Sequence, residues 1–156
     1  MGGRWNPPSS WQTLYLNRDI QTARAQIERM LDGTFSTSDD LADDAYYLLA
    51  VTLPGSLEAL DLVSPAGIGA SGIPATYPLD ANRDFVIHSK CQELALRAHI
   101  EELDGVEAPA AVRASHDCFE FAWWPRNATA SQYGNRMPYG LWRSALIVDA
   151  NVLFEL

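Results

Sequence analysis

The run Gly2-Gly3-Arg4-Trp5-Asn6-Pro7-Pro8 (GGRWNPP) decides how this chain is read. Two glycines, an amide and two prolines make poor helix or strand, so the run is either a frayed start or a shaped loop that presents Arg4. Glycine lets backbone come close to a ligand, and Trp5 can support a ring or pack the loop down. We read it as the shaped loop. Directly after it, residues 13–16 (TLYL) read as a short buried strand that carries Tyr15, either as a core tyrosine with its hydroxyl at the rim or as part of a site.

Working outward, Asp19 is a plausible N-cap for a helix reaching residue 31, with Ile20, Ala23, Ile27, Met30 and Leu31 on one stripe and Gly33 placed to end it. The polar, acidic residues 34–44 read as a surface loop. Residues 45–53 (AYYLLAVTL) are expected as a buried strand and residues 57–63 (LEALDLV) as a second, with Pro54-Gly55 turning between them. Residues 64–83, rich in glycine and proline, are expected as a long irregular loop. A second helix is predicted over residues 89–103, closed by Gly105. Cys91, Leu94, Ala95 and Ala98 form one apolar arc on it and Leu96, Ile100 and Leu103 another, so it is expected to be central and widely buried. Further strands are expected near residues 106–111, 118–124 and 145–153. Strands outnumber helices without strict alternation, which predicts an α+β fold with helices packed on a mixed or antiparallel sheet.

The 156 residues fit one domain with a sizeable core. No run of about 18 apolar residues and no basic-then-apolar leader is present, so the expectation is a cytoplasmic protein without a membrane span. Cys91 and Cys118 match no metal spacing and read as buried small hydrophobes, which makes the sequon at residues 127–129 irrelevant. The net charge of -9 and the single lysine argue against direct nucleic-acid binding. Acidic residues crowd positions 39–44, however, while five of the ten arginines lie from Arg97 onward, so a local cationic pocket remains open. Arginine suits phosphate better than lysine does.

The chain has no P-loop, dinucleotide glycine fingerprint, H-E-x-x-H or cysteine-histidine cluster. His99 reads as a partly buried helix residue and His116 as a solvated loop residue. Ser89 with Gln92 spells an S-x-x-Q capping box, and the same helix start offers free N–H groups and a partial positive charge where a phosphate would bind. On the first helix, Gln26 and Glu28 flank opposite borders of the stripe centred on Ile27, so they cannot serve one pocket equally. Trp11, Trp123 and Trp142 are either core residues or an exposed aromatic surface for a partner.

In order, GGRWNPP, then Leu14-Tyr15-Leu16, T-A-x-A-x-I-E on a helix, L-x-x-L-D-L ending a strand, and S-x-C-Q opening a helix resemble the RES domain. That family is named for an arginine, a glutamate and a serine and includes the toxins of Xre-RES toxin–antitoxin pairs. The resemblance runs over residues 2–111; FEFAWWPRNATA matches loosely. It implies one RES domain, lacking the strand and arginine that usually precede GGRWN, on a fold similar to ADP-ribosyltransferases. It also implies breakage of the nicotinamide-ribose bond of NAD+, with water or phosphate as acceptor, no prosthetic group and no metal. The implied partners are NAD+ as substrate and an Xre-like antitoxin; oligomeric state stays open, a homo-oligomer being one option. Arg4 then matches the family arginine, Tyr15 the pocket tyrosine and Ser89 the serine. The pyrophosphate suits Arg and a helix start, the pyridinium an aromatic platform, and the sugar cation of the transition state a carboxylate.

The family glutamate falls on Gln26. An amide keeps the shape and can bond a ribose hydroxyl but carries no charge. Gln26 thus marks a weakened relative, a substitution made so that a toxic enzyme can be produced, or a role taken over by Glu28. The last conflicts with a rotation of about 200° between the two positions. The alternative functions are a catalytically silent module that binds NAD+ or an antitoxin, and an ADP-ribosyltransferase.

Overall fold

The computed structural model describes residues 2–112, 118–126 and 130–143. In chain order the elements are strand β1 (Leu14–Asn17), helix α1 (Ile20–Leu31), strands β2 (Tyr47–Thr52) and β3 (Ala59–Asp61), helices α2 (Pro65–Ser71) and α3 (His88–Ile100), strands β4 (Gly105–Pro109), β5 (Phe119–Trp123) and β6 (Ser131–Pro138), and helix α4 (Tyr139–Trp142). They divide between two compact units, Met1–Arg18 with Gly55–Ala128 and Asp19–Pro54 with Thr129–Leu156.

The first unit holds a four-stranded sheet in the order β1-β5-β4-β3. β3 and β4 run parallel and the other pairs antiparallel, so the sheet is mixed, as expected. Ala122 of β5 sits between Tyr15 on one side and Val106 on the other. The core here joins Cys91, Leu94, Ala95 and Ala98 of α3 to Leu62, Val106, Ala108 and Ala122, with Trp5, Tyr77 and Trp124 around them. Only one of the two arcs expected on α3 is buried: Leu96 is 44% exposed and Ile100 71%. The helix also stops early, at Ile100 rather than residue 103. Glu102 takes the left-handed turn (φ 65°), and Gly105 instead opens β4. A Cβ at Gly105 would run into the Ala122 carbonyl and the Phe121 ring, so this glycine serves the close approach of two strands rather than a helix stop.

The expected irregular loop at 64–83 contains α2. Ser64 caps it, accepting from the Gly67 N–H at 3.0 Å; Pro65 sits in its first turn, and Gly72 ends it at φ 73°.

In the second unit α1 has the predicted boundaries and cap: the Asp19 carboxylate accepts from the Thr22 N–H and hydroxyl, each at 2.7 Å. Ile20 and Ile27 pack with Tyr139 and Trp142, while Met30, expected on the stripe, is exposed. β2 pairs antiparallel with β6 in a two-stranded ladder. Such a ladder leaves one face open, which is why Tyr47 and Leu49 are exposed and β2 is not the buried strand expected. Trp123 and Trp142 are buried and Trp11 is partly so. The expected strand at 145–153, His116 and the sequon lie outside the described residues.

Candidate functional site

The opening run is a shaped loop. Gly3 and Asn6 face each other across an isolated β-bridge, and the Gly3 N–H donates to Asn6 Oδ1 at 3.0 Å. That oxygen also accepts from the Tyr15 hydroxyl at 3.0 Å, which in turn accepts from the Trp5 N–H at 2.8 Å. A Cβ at Gly3 would overlap the Tyr15 hydroxyl, and one at Gly2 would lie 2.6 Å from the Asn6 carbonyl oxygen. Both glycines are therefore demanded by close approach. From α3, Gln92 Nε2 donates to the Gly3 carbonyl at 2.8 Å. The Trp5 ring is fully buried, and its Nε1 donates to Glu120 Oε1 of β5 at 2.9 Å.

Arg4, held between these two fixed neighbours, reaches the start of α3. Its Nη1 donates to the Val86 carbonyl at 2.8 Å and lies 3.7 Å from Cys91 Sγ. Ser89 sits between those two contacts in sequence, on the first turn of α3. Its side chain is exposed, and the expected capping box does not form. The helix begins one residue sooner, at His88, so the N-cap is Ile87, which offers no side-chain acceptor. Gln92, the other half of the box, is engaged with Gly3 instead.

Burial sets the local electrostatics, and the Arg4 guanidinium acts on each group after it. Burial pushes the Tyr15 phenol up to about 12, against the pull of the Trp5 N–H and of Arg4. Burial likewise raises Glu120 and Cys91, with Arg4 opposing in each case and the Trp5 indole also opposing at Glu120. His88 is lowered, first by burial and then by the Arg4 charge. The result is a partly buried cation beside an uncapped helix start, an arrangement suited to an anion.

Arg4, Tyr15 and Ser89 thus belong to the first unit, in one neighbourhood of loop, strand and helix. Gln26 belongs to the second unit, half-buried on α1, and Glu28 is exposed there. Sequence reasoning missed Glu120. Its signal was a lone carboxylate two residues from Ala122, hence on the same inward face of β5. Among the described residues no group of three or more histidine, cysteine or acidic side chains gathers as a metal site.

A cavity of about 210 Å³ lies at the other end of α3, lined by Trp11, Gln12, His99, Trp124, Pro125 and Arg126. There Trp11 stacks on His99 with ring centroids 4.1 Å apart, and Arg126 Nη2 donates to the His99 and Leu103 carbonyls at 3.0 and 3.1 Å. No residue of the arginine loop lines it.

No protein-family model matches the chain. The chain is homologous to the NAD(+) phosphorylase MbcT of Mycobacterium tuberculosis and of Mycobacterium bovis, 30% identical over 112 residues, which cover 70% of this chain and 56% of the relative. It thus spans little more than half the length of those relatives. In structure it matches a chain of the crystal structure of the M. tuberculosis MbcT–MbcA toxin–antitoxin complex, with a TM-score of 0.68 at 23% identity, over 92% of this chain and 77% of that one. The mixed α+β fold is therefore one already seen in that complex.

Proposed function

We propose that this chain is a toxin-type protein of the RES kind that takes NAD+ as substrate and cleaves its nicotinamide-ribose bond. The observation that carries the reading is the delivery of Arg4 by the GGRWN loop to the uncapped first turn of α3. With Nη1 on the Val86 carbonyl, the remaining guanidinium donors and the first-turn N–H groups supply the donors that a pyrophosphate needs. Ser89 adds a hydroxyl on that turn, and the Tyr15 ring, its hydroxyl already committed to the loop, offers an apolar face to ribose or nicotinamide.

In the reaction the bond between ribose C1 and the pyridinium nitrogen breaks, and nicotinamide leaves with the electron pair. An oxygen of phosphate, the acceptor that the name of the MbcT relatives supports, forms the new bond to C1. The transition state is a sugar cation, which a carboxylate stabilises and a carboxamide stabilises less. The resemblance assigns that carboxylate's place to Gln26, and a carboxamide in that role is expected to be roughly a hundredfold slower than a carboxylate. As with the toxin–antitoxin neighbour, an antitoxin, of the Xre-like kind, is the protein partner we assign, in the cytoplasm.

Nicotinamide release from NAD+ in phosphate buffer tests this reading. Gln26→Glu is expected to release it about a hundredfold faster than the chain as it stands. If neither form releases nicotinamide or binds NAD+, the reading fails. Gln26 also favours a second reading, a catalytically silent module; tight NAD+ binding without turnover in both forms selects it.

A further inference from the structure

We propose that Glu120 is a positioning residue for Arg4: it anchors the Trp5 indole from beneath, fixing the loop in the form that meets substrate. The inference rests on the reading of Arg4 as a substrate-binding residue.

A carboxylate is a costly choice for an inward position on a central strand. Glu120 is only 7% exposed; its neighbours along that face of β5 and across on β4 are Ala122 and Ala108. A side chain needed only to fill space there would be apolar. Burial raises its pKa, and two features of its surroundings oppose that rise. One is the Trp5 indole N–H at 2.9 Å, itself buried. The other is Arg4, whose charge favours the carboxylate over the acid.

The geometry around Arg4 shows what this accomplishes. Gly3, before it, is held at its N–H by Asn6 and at its carbonyl by Gln92. Trp5, after it, is held at its N–H by Tyr15 and at its ring by Glu120. Of these four holds, the one from Glu120 alone is made by an acidic side chain. Removing it orphans a buried indole N–H and, with it, the anchor of the residue that follows Arg4.

Glu120→Gln keeps an acceptor for Trp5 but removes the charge, and Glu120→Met removes both. The first is expected to weaken NAD+ binding a few-fold and the second roughly tenfold or more by calorimetry, a graded loss with partial rescue by the amide. The Arg4 Nε–H signal in nitrogen-edited NMR is expected to move in both, and the Trp5 indole signal mainly in Glu120→Met. A purely structural role would lower thermal stability and leave the Arg4 signal and the affinity in place. An unmoved Arg4 signal in folded variants overturns the proposal whatever the chain does with NAD+. Failure of the unmodified chain to bind NAD+, with the Arg4 signal still moving, overturns the substrate reading instead. Should Glu120→Met not fold, Trp5→Phe removes the indole donor from the other side and must shift the Arg4 signal for the proposal to stand.

Discussion

The two long helices begin in opposite ways. At α1, Asp19 closes the start with two hydrogen bonds to Thr22, so the exposed N–H dipoles already have a carboxylate. At α3 the corresponding position holds Ile87, 68% exposed and chemically mute, and a guanidinium stands nearby instead of an acid. The difference teaches where an anion is welcome. A capped start is already neutralised by the protein, whereas an uncapped one flanked by a cation adds its own partial charge to that cation.

The hardest break of this contrast is Arg4→Ala. It is expected to lower NAD+ affinity or turnover by roughly a hundredfold or more, measured by calorimetry and nicotinamide release, while the fold persists. A gentler one makes α3 resemble α1: Ile87→Ser supplies the missing cap at a residue already in extended geometry (φ -63°, ψ 146°). Thermal unfolding should show a gain of up to about 1 kcal/mol, and binding should weaken several-fold as the hydroxyl competes for the first-turn N–H groups. Its mirror, Asp19→Ala, should cost about 1 kcal/mol and leave affinity alone. The smallest effect concerns Tyr15. Its folded phenol titrates at about 12 against 10.0 for the free group, so the native state keeps a proton that the unfolded chain releases. Stability from this source is complete below pH 10.0 and falls as pH rises toward about 12. Tyr15→Phe should flatten part of that alkaline decline in urea titrations, further parts belonging to Tyr77 and Cys91, which burial also raises.

The sequence carried the loop, α1 and the mixed sheet because their causes are local: glycine spacing, a cap with its stripe, and apolar runs. It misled at α3 because Ser89 and Gln92 match a capping pattern whose glutamine the fold uses elsewhere, on the Gly3 carbonyl. It misled at α2 because dense glycine and proline hid a valid set of start and stop signals in Ser64, Pro65 and Gly72. β6 (SQYGNRMP) has little strand propensity of its own; its pairing with β2 defines it, and pairing is not written in a single segment. Glu120 was legible as a polar residue on an apolar face, but the indole it serves lies 115 positions away.

That separation has a consequence for how the protein is made. Gly3 and Trp5 leave the ribosome long before β5 is translated, and until it is, Trp5 has no carboxylate to hold and Gly3 must wait for Gln92. Whatever chemistry depends on Arg4 is therefore withheld from the nascent chain until β5 has been synthesised and has closed on the loop.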